Sequence, residues 1–317
     1  MSTCNPVEKP KPSKVEWSIN PFTFSLNGTV AQLEEIIHQL PSDMHPGLLC
    51  RRDQLAELGS LTEHFDVIQA HASEDASNID LEWLDAGALL LCDLVIALNI
   101  SLPTCNLISD RPFKESLRDA EKLYHQQTPV KGLLLAGGKS SRMGRDKALL
   151  ELDGKRQIDR MHNLMKPFCT EVLVSCRPGQ QEMYSDFEQV HDVFCDMGPL
   201  SGILSAFRLD PTAAWLVVAC DLPFLELATL ETLFAGRKVT RLGTAFRSST
   251  CAFPEPLCTI FEPKAYGRML DFVQRGYTCP RKVLINSPIS LLEQTNPHWL
   301  DNMNRPDDYA DAARKLS

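Results

Sequence analysis

No apolar run in this 317-residue sequence approaches the roughly 18 residues that a membrane-spanning helix needs. The longest candidate, Ala86 to Ile100, is interrupted by Asp93 and reads as a buried helix or strand. The chain starts Met-Ser-Thr-Cys with Pro and Lys close behind, so no apolar signal segment is present. A cytoplasmic protein without a membrane partner is expected. The 11 cysteines are odd in number and lack any C-x-x-C pair, and the 8 histidines lack H-x-x-x-H spacing. Neither a disulfide framework nor a zinc site is expected; Cys220 and Cys258, set in apolar segments, read as small buried hydrophobes. Three familiar motifs are missing as well. The letters GKS at 138–140 would complete a P-loop only with glycine at 133, which is Leu133. There is no G-x-G-x-x-G for a dinucleotide and no G-x-S-x-G for a hydrolase nucleophile.

What is present is a globular composition, 44% hydrophobic and 23% charged, long enough for two domains. Charge is divided unevenly. Residues 1–128 carry 9 Lys+Arg against 19 Asp+Glu, while the remainder is near balance. An acidic first half argues against a nucleic-acid partner. Residues 1–16 are rich in Pro, Lys and Glu with few large apolar residues, the composition of a disordered tail. Residues 17–125 alternate helical and strand patterns: Val30–Leu40 has apolar residues at helical spacing. Gly47–Cys50, Phe65–Ile68 and Leu91–Leu98 are short apolar runs, and Gln54–Leu58, Asn78–Leu84 and Lys114–Tyr124 read as helices. The pattern predicts a smaller acidic α/β domain, with 126–129 as its linker because Pro129 disfavours helix before it.

From Val130 the alternation restarts with stronger signals. Val130–Ala136, Glu171–Ser175 and Trp215–Cys220 are continuous apolar runs, and Ile158–Phe168, Pro199–Phe207 and Ala228–Phe234 have helical periodicity. Buried strands alternating with helices predict a Rossmann-like α/β domain over 130–317 with a mainly parallel sheet. Ligands of such sheets bind beyond the C-terminal strand ends. At the end of the first strand stands Leu135-Ala136-Gly137-Gly138-Lys139-Ser140-Ser141-Arg142-Met143-Gly144, with Lys147 soon after. Paired glycines let the backbone approach a ligand closely, their N–H groups form an anion nest, and Arg142 and Lys147 add full charges. On these residues alone the loop fits a triphosphate or an ordinary glycine-rich turn.

The longer stretch LAGGKSSRMGRDKALLELDGK resembles the signature of the nucleotidyltransferases that act on molybdenum cofactor, the guanylyltransferases among them. The similarity continues in order: Asp196 with Gly198-Pro199-Leu200-Ser201-Gly202, Cys220-Asp221-Leu222-Pro223, Pro254 to Cys258, and Asp301 to Asp308. These ordered matches span residues 130–310 and leave the first 128 residues uncovered.

The resemblance implies a nucleotidyltransferase that moves GMP from GTP to the terminal phosphate of molybdopterin and releases pyrophosphate, with Mg²⁺ as its ion. Asp221, at the end of a buried strand, would hold the ion; its plainer role is a cap for the following turn. Lys147 and Arg142 would neutralise phosphate charge in transfer. Leu135, Ala136, Gly137 and Gly138 would line the nucleotide, and Ser175 and Asp196 would contact the base. The AGG form of the loop goes with guanylyl transfer in this family, whereas relatives carry asparagine where this chain has Ser175. Asn302 and Asn304 would face the acceptor, or cap a helix beginning at Pro306. A phosphate acceptor is already anionic, so no catalytic histidine is required, and His162 and His191 read as structural. Two other readings remain: cytidylyl transfer, and an inactive nucleotide-binding regulator. The acidic first domain, lacking a P-loop, reads as a module for docking molybdoenzymes or handing over cofactor, or as a stabilising appendage.

Overall fold

The computed structural model of the protein describes residues 23–26, 29–40, 42–51, 54–65, 67–71, 92, 94–98, 106–107, 113–136, 147–194 and 196–316. The proposed tail, the Asn78–Leu84 helix, Gly137, Gly138 and Arg142 lie outside these residues.

The chain builds β1 (Thr23–Leu26), α1 (Val30–Ile37), β2 (Pro46–Arg51), α2 (Leu55–Leu58), β3 (Val67–His71), β4 (Leu94–Leu98), β5 (Asn106–Leu107) and α3 (Phe113–Gln127). The strands form a five-stranded sheet in the order β3-β2-β4-β1-β5, and every pairing within it is parallel. The unbroken burial of β4, Leu94 to Leu98, is what a strand covered on both faces requires. α1 turns its apolar residues Leu33 and Ile36 inward. Its first turn is closed by a reciprocal capping box, in which the Thr29 side chain accepts from the Gln32 backbone and the Gln32 side chain accepts from Thr29 N–H.

From β6 (Val130–Leu135) the chain continues through β7 (Glu151–Leu152), β8 (Lys155–Arg156), α4 (Gln157–Met165), β9 (Val172–Cys176), β10 (Gln189–His191), α5 (Pro199–Leu209) and β11 (Ala214–Ala219). It closes with α6 (Leu227–Ala235), β12 (Gly243–Arg247), β13 (Pro254–Phe261), α7 (Ala265–Gln274), α8 (Pro280–Ile285), β14 (Ser290–Leu292) and α9 (Pro306–Leu316). A seven-stranded sheet runs β10-β9-β6-β11-β13-β12-β14. It is mostly parallel, with β13 antiparallel to both β11 and β12. The apolar runs of the sequence become its centre: β6, β9 and β11 each carry a core of buried side chains.

Successive residues of these strands feed opposite faces. Leu134, Leu216 and Val218 pack with Ile158, Met161 and Met165 of α4 and Leu230 and Leu233 of α6. Leu133, Trp215 and Val217 pack with Ile203 and Phe207 of α5 and Met269 of α7. Two covered faces make the doubly wound layer that the sequence pattern predicts. Among the described residues, no helix is long and apolar enough to cross a membrane.

The two sheets meet through side chains. Val239 lies in the apolar cluster of the first sheet with Phe24, Phe113 and Leu117. Tyr124 of α3 donates its hydroxyl to Glu262 at 3.3 Å, and Glu262 accepts from both Nε and Nη2 of Arg237 at 2.7 and 2.9 Å. Glu262 is 0% and Arg237 6% exposed, which makes this a desolvated pair. Burial beside the Glu262 charge pushes the Tyr124 phenol well above its ordinary range. Asp43 accepts from Lys238 and Arg241 nearby, and those cations hold its carboxyl below the usual range.

Candidate active site

The parallel strands β6, β9 and β11 end on one side of the sheet, where they open a cavity of about 870 Å³. Leu135 ends β6 and Ala136 follows it, Ser175 is the penultimate residue of β9, and Ala219 ends β11 ahead of Cys220 and Asp221; all line the cavity. The start of α5 forms another wall through Gly198, Pro199, Ser201 and Gly202. Gly198, at φ 57°, turns the chain into this helix, and no side chain caps it. The helix opens on Pro199, which has no N–H to leave unpaired, and Ser201 N–H donates to the Gly198 carbonyl at 3.1 Å.

β11 is buried along its whole length, which fixes where Asp221 emerges. Its Oδ2 accepts from Lys147 Nζ at 3.1 Å, while its Oδ1 is buried with no hydrogen-bond partner among the described residues. Lys147 opens a short 3-10 turn anchored by the buried Ala148 and also donates to Asn304 Oδ1 at 2.8 Å. Met303 N–H donates to the Asp221 carbonyl at 2.9 Å, so the segment before α9 is stitched to the strand end. Asp308 caps that helix, accepting from the backbone N–H of Asn304 and Arg305 at 2.8 Å each. The cap that the sequence offered to an asparagine is thus filled by Asp308, which frees the Asn304 side chain for Lys147. Asn302 is exposed and does not line the cavity.

At the other end of the cavity Ser175, 2% exposed, donates to Asp192 Oδ1 at 2.8 Å. Asp192 follows the short edge strand β10 and lines the cavity. Burial raises its carboxyl above the usual range, against the Ser175 hydrogen bond and the charges of Arg177 and His191. Arg177 lines the cavity too. Asp196 also lies on the wall, exposed and at φ 56°, a left-handed conformation that aspartate tolerates better than most residues. The sequence reading missed Asp192 and Arg177. The signal available was position alone: each stands just past a strand end, where parallel sheets bind ligands.

Of the sequence-derived residues, Leu135, Ala136, Lys147, Ser175, Asp196 and Asp221 come together on one cavity, and Asn304 joins it through Lys147. His162 sits apart: its Nε2 is 3.3 Å from the Val172 carbonyl and its ring packs on Phe187. Burial holds that imidazole below its ordinary range. Among the described residues no group of three or more His, Cys, Asp or Glu is placed to hold a metal. Magnesium in phosphoryl-transfer sites usually takes only one or two carboxylates from protein. The solitary, buried and unpartnered Asp221 Oδ1 on the cavity wall fits that demand.

A doubly wound sheet with a lysine and a carboxylate gathered beyond its strand ends is the architecture of a nucleotidyltransferase. The molybdopterin-guanine dinucleotide biosynthesis protein A of Archaeoglobus fulgidus has the same fold, with a TM-score of 0.51 at 24% identity over 58% of this chain and 97% of that one. Residues 132–287 match the MobA-like NTP transferase domain. The chain is 39% identical over 185 residues to the molybdenum cofactor guanylyltransferase of Pseudomonas aeruginosa, which covers 56% of this chain and 92% of that protein. The chain belongs to the molybdenum cofactor guanylyltransferase family, a family of nucleotidyltransferases. It is also 32% identical over 225 residues to a molybdenum cofactor biosynthesis bifunctional protein of Synechocystis, a match that covers 69% of this chain and 65% of that protein's length. A match of that extent is longer than residues 130–317 and so reaches into the segment that precedes the seven-stranded sheet.

Proposed function

We propose that the protein is a Mg²⁺-dependent guanylyltransferase that joins GMP from GTP to the terminal phosphate of molybdopterin. The observation that carries this reading is the division of labour at Asp221. One carboxylate oxygen holds Lys147, and the other is buried, unpartnered and beside the cavity. Mg²⁺ bound there would supply charge neutralisation to the triphosphate. A phosphate oxygen of the acceptor forms a bond to the α-phosphorus of GTP as the bond to the β-phosphate oxygen breaks, and pyrophosphate leaves with that electron pair. The acceptor oxygen is already ionised, so no proton has to move and no side-chain base is required. Lys147 faces the α- and β-phosphates, held in place beforehand by Asp221 and Asn304, and Arg142 and the Gly137-Gly138 backbone cradle the remainder. Asn304, and Asn302 more weakly, stand on the acceptor side. The test is Mg²⁺-dependent pyrophosphate release from each NTP with and without molybdopterin. Release from GTP is expected, and release from CTP instead would overturn the guanylyl assignment.

Lys147→Ala is expected to lower kcat/KM for GTP by ~10²–10³-fold, the usual cost of removing a fixed charge from a developing transition state. Steady-state kinetics measure it, and a loss below about fivefold would remove Lys147 from the transfer step.

The base is read by Asp192, with the Ala136 backbone beside it and Asp196 at the rim. A carboxylate accepts from both the ring N–H and the exocyclic amine of guanine, a pair of donors that cytosine lacks. Acceptance requires the ionised form. Because burial raises this carboxyl, GTP binding weakens on acidification at a higher pH than an ordinary aspartate gives, and it recovers as pH rises. A pH profile of KM for GTP measures that limb. Asp192→Asn removes it, and an unchanged profile in that variant would assign the limb to another group.

Residues 17–125 and 130–317 are read as two folding units joined at 126–129. The first would serve as a docking module for molybdoenzymes in a cytoplasmic cofactor-assembly step.

A further inference from the structure

We infer that Ser175 is a positioning residue: its hydroxyl donates to one lone pair of Asp192 Oδ1 and so sets the plane in which the carboxylate meets the nucleobase. The inference rests on the assignment of Asp192 to the base. Ser175 is 2% exposed, and its single hydroxyl hydrogen is spent on Asp192 at 2.8 Å. It has no donor left for a ligand. The hydroxyl is also enclosed from above. A Cβ placed on Gly202 of α5 would collide with Ser175 Oγ and come within 2.9 Å of the Leu135 side chain, so the helix backbone passes directly over this atom.

The segment that carries Asp192 is tied down from several sides. Its own N–H donates to the Cys176 carbonyl at 3.0 Å. Val193 N–H donates to Ser205 Oγ at 3.0 Å, and Met197 N–H donates to Ser201 Oγ at 3.3 Å. Ser205 Oγ in turn donates to the Ser201 carbonyl at 2.7 Å. Ser201 and Ser205 are one helical turn apart and, like Ser175, buried. Their hydroxyls tie the Val193 and Met197 backbone to α5 and are not spent on the carboxylate. Ser175 is the side chain that sets the direction of the carboxylate. A short carboxylate on a fixed backbone retains rotation about its side-chain bonds, and one hydrogen-bonded oxygen removes that freedom before ligand arrives.

GTP and ITP differ by the exocyclic amine, so the ratio of their kcat/KM values in pyrophosphate release by the full chain reads the Asp192 contact. Asp192→Asn is expected to collapse that ratio by ~10-fold or more, since one of the two acceptor oxygens becomes a donor and the negative charge is lost. Ser175→Ala should lower it by about 3–10-fold through KM for GTP, with kcat little changed. The double variant should be no worse than Asp192→Asn alone, because Ser175 acts only through that carboxylate. Gly202→Ala, which leaves Ser175 chemically intact but displaces its Oγ, should reproduce the Ser175→Ala loss. Melting temperatures identify any variant that fails to fold. A Ser175→Ala enzyme with wild-type selectivity while Asp192→Asn has lost it would overturn the positioning role, as would losses that add in the double variant. Wild-type selectivity in Asp192→Asn itself would overturn the base assignment beneath it.

Discussion

Asp221→Ala loses pyrophosphate release by at least ~10³-fold, the largest effect of any single change at this site. The expectation follows from what the two oxygens do. Oδ2 holds Lys147 at 3.1 Å, and Oδ1 is a buried acceptor without a partner. Alanine therefore removes the cavity carboxylate whose buried oxygen would take a cation and also releases the lysine that faces the phosphates. The Met303 N–H bond to the Asp221 carbonyl is made by backbone and survives the substitution, so the fold should persist. GTP affinity and circular dichroism separate the two effects: near-normal folding with lost turnover is the expected pair. Activity within tenfold of wild type would place the metal elsewhere. Asp221→Asn keeps the shape and loses the charge; retention of the Lys147 contact without turnover would identify the missing function as cation binding.

Glu262→Ala destabilises the protein by ~3–5 kcal/mol, because it strands the Arg237 charge in a desolvated position rather than merely deleting a contact. Arg237 is 6% exposed and receives its two hydrogen-bond acceptors from that one carboxylate. The Tyr124 hydrogen bond to Glu262, which couples α3 to the larger sheet, is lost in the same step. Urea denaturation followed by circular dichroism measures the effect. Arg237→Ala combined with Glu262→Ala should cost less than the two single changes summed, since the double variant leaves no unpaired charge. A single-variant loss below about 1 kcal/mol, the range of surface pairs, would mean that water reaches the pair.

Much of the fold was legible before any coordinates. The apolar runs at 130–136, 171–175 and 215–220 became β6, β9 and β11, and the helical patterns beginning at 158, 199 and 228 became α4, α5 and α6. Continuous hydrophobicity marks a strand covered on both faces, and a 3.6-residue period marks a helix resting on it. The antiparallel half was not legible. Pro254–Phe261 is β13, yet its alternation of proline, glutamate and cysteine carries no strand period, because tertiary burial overrides local preference there. β1 and the edge strand β10 were missed for a different reason: four and three residues are too few to establish a period.

The site divides along similar lines. The sequence by itself determined the local chemistry: glycines and cations after one strand, an aspartate after another, and a proline-led helix start between them. Those choices are dictated by backbone freedom, charge and burial within a few residues. The pairings arise only in the folded chain. Lys147 meets Asp221 and Asn304 across 74 and 157 residues, and Ser175 meets Asp192 across 17. Sheet order sets such meetings, because the order decides which strand ends are neighbours, and no local pattern encodes it. That is why Asp221 and Lys147 could be named from sequence while the partner of Ser175 could not.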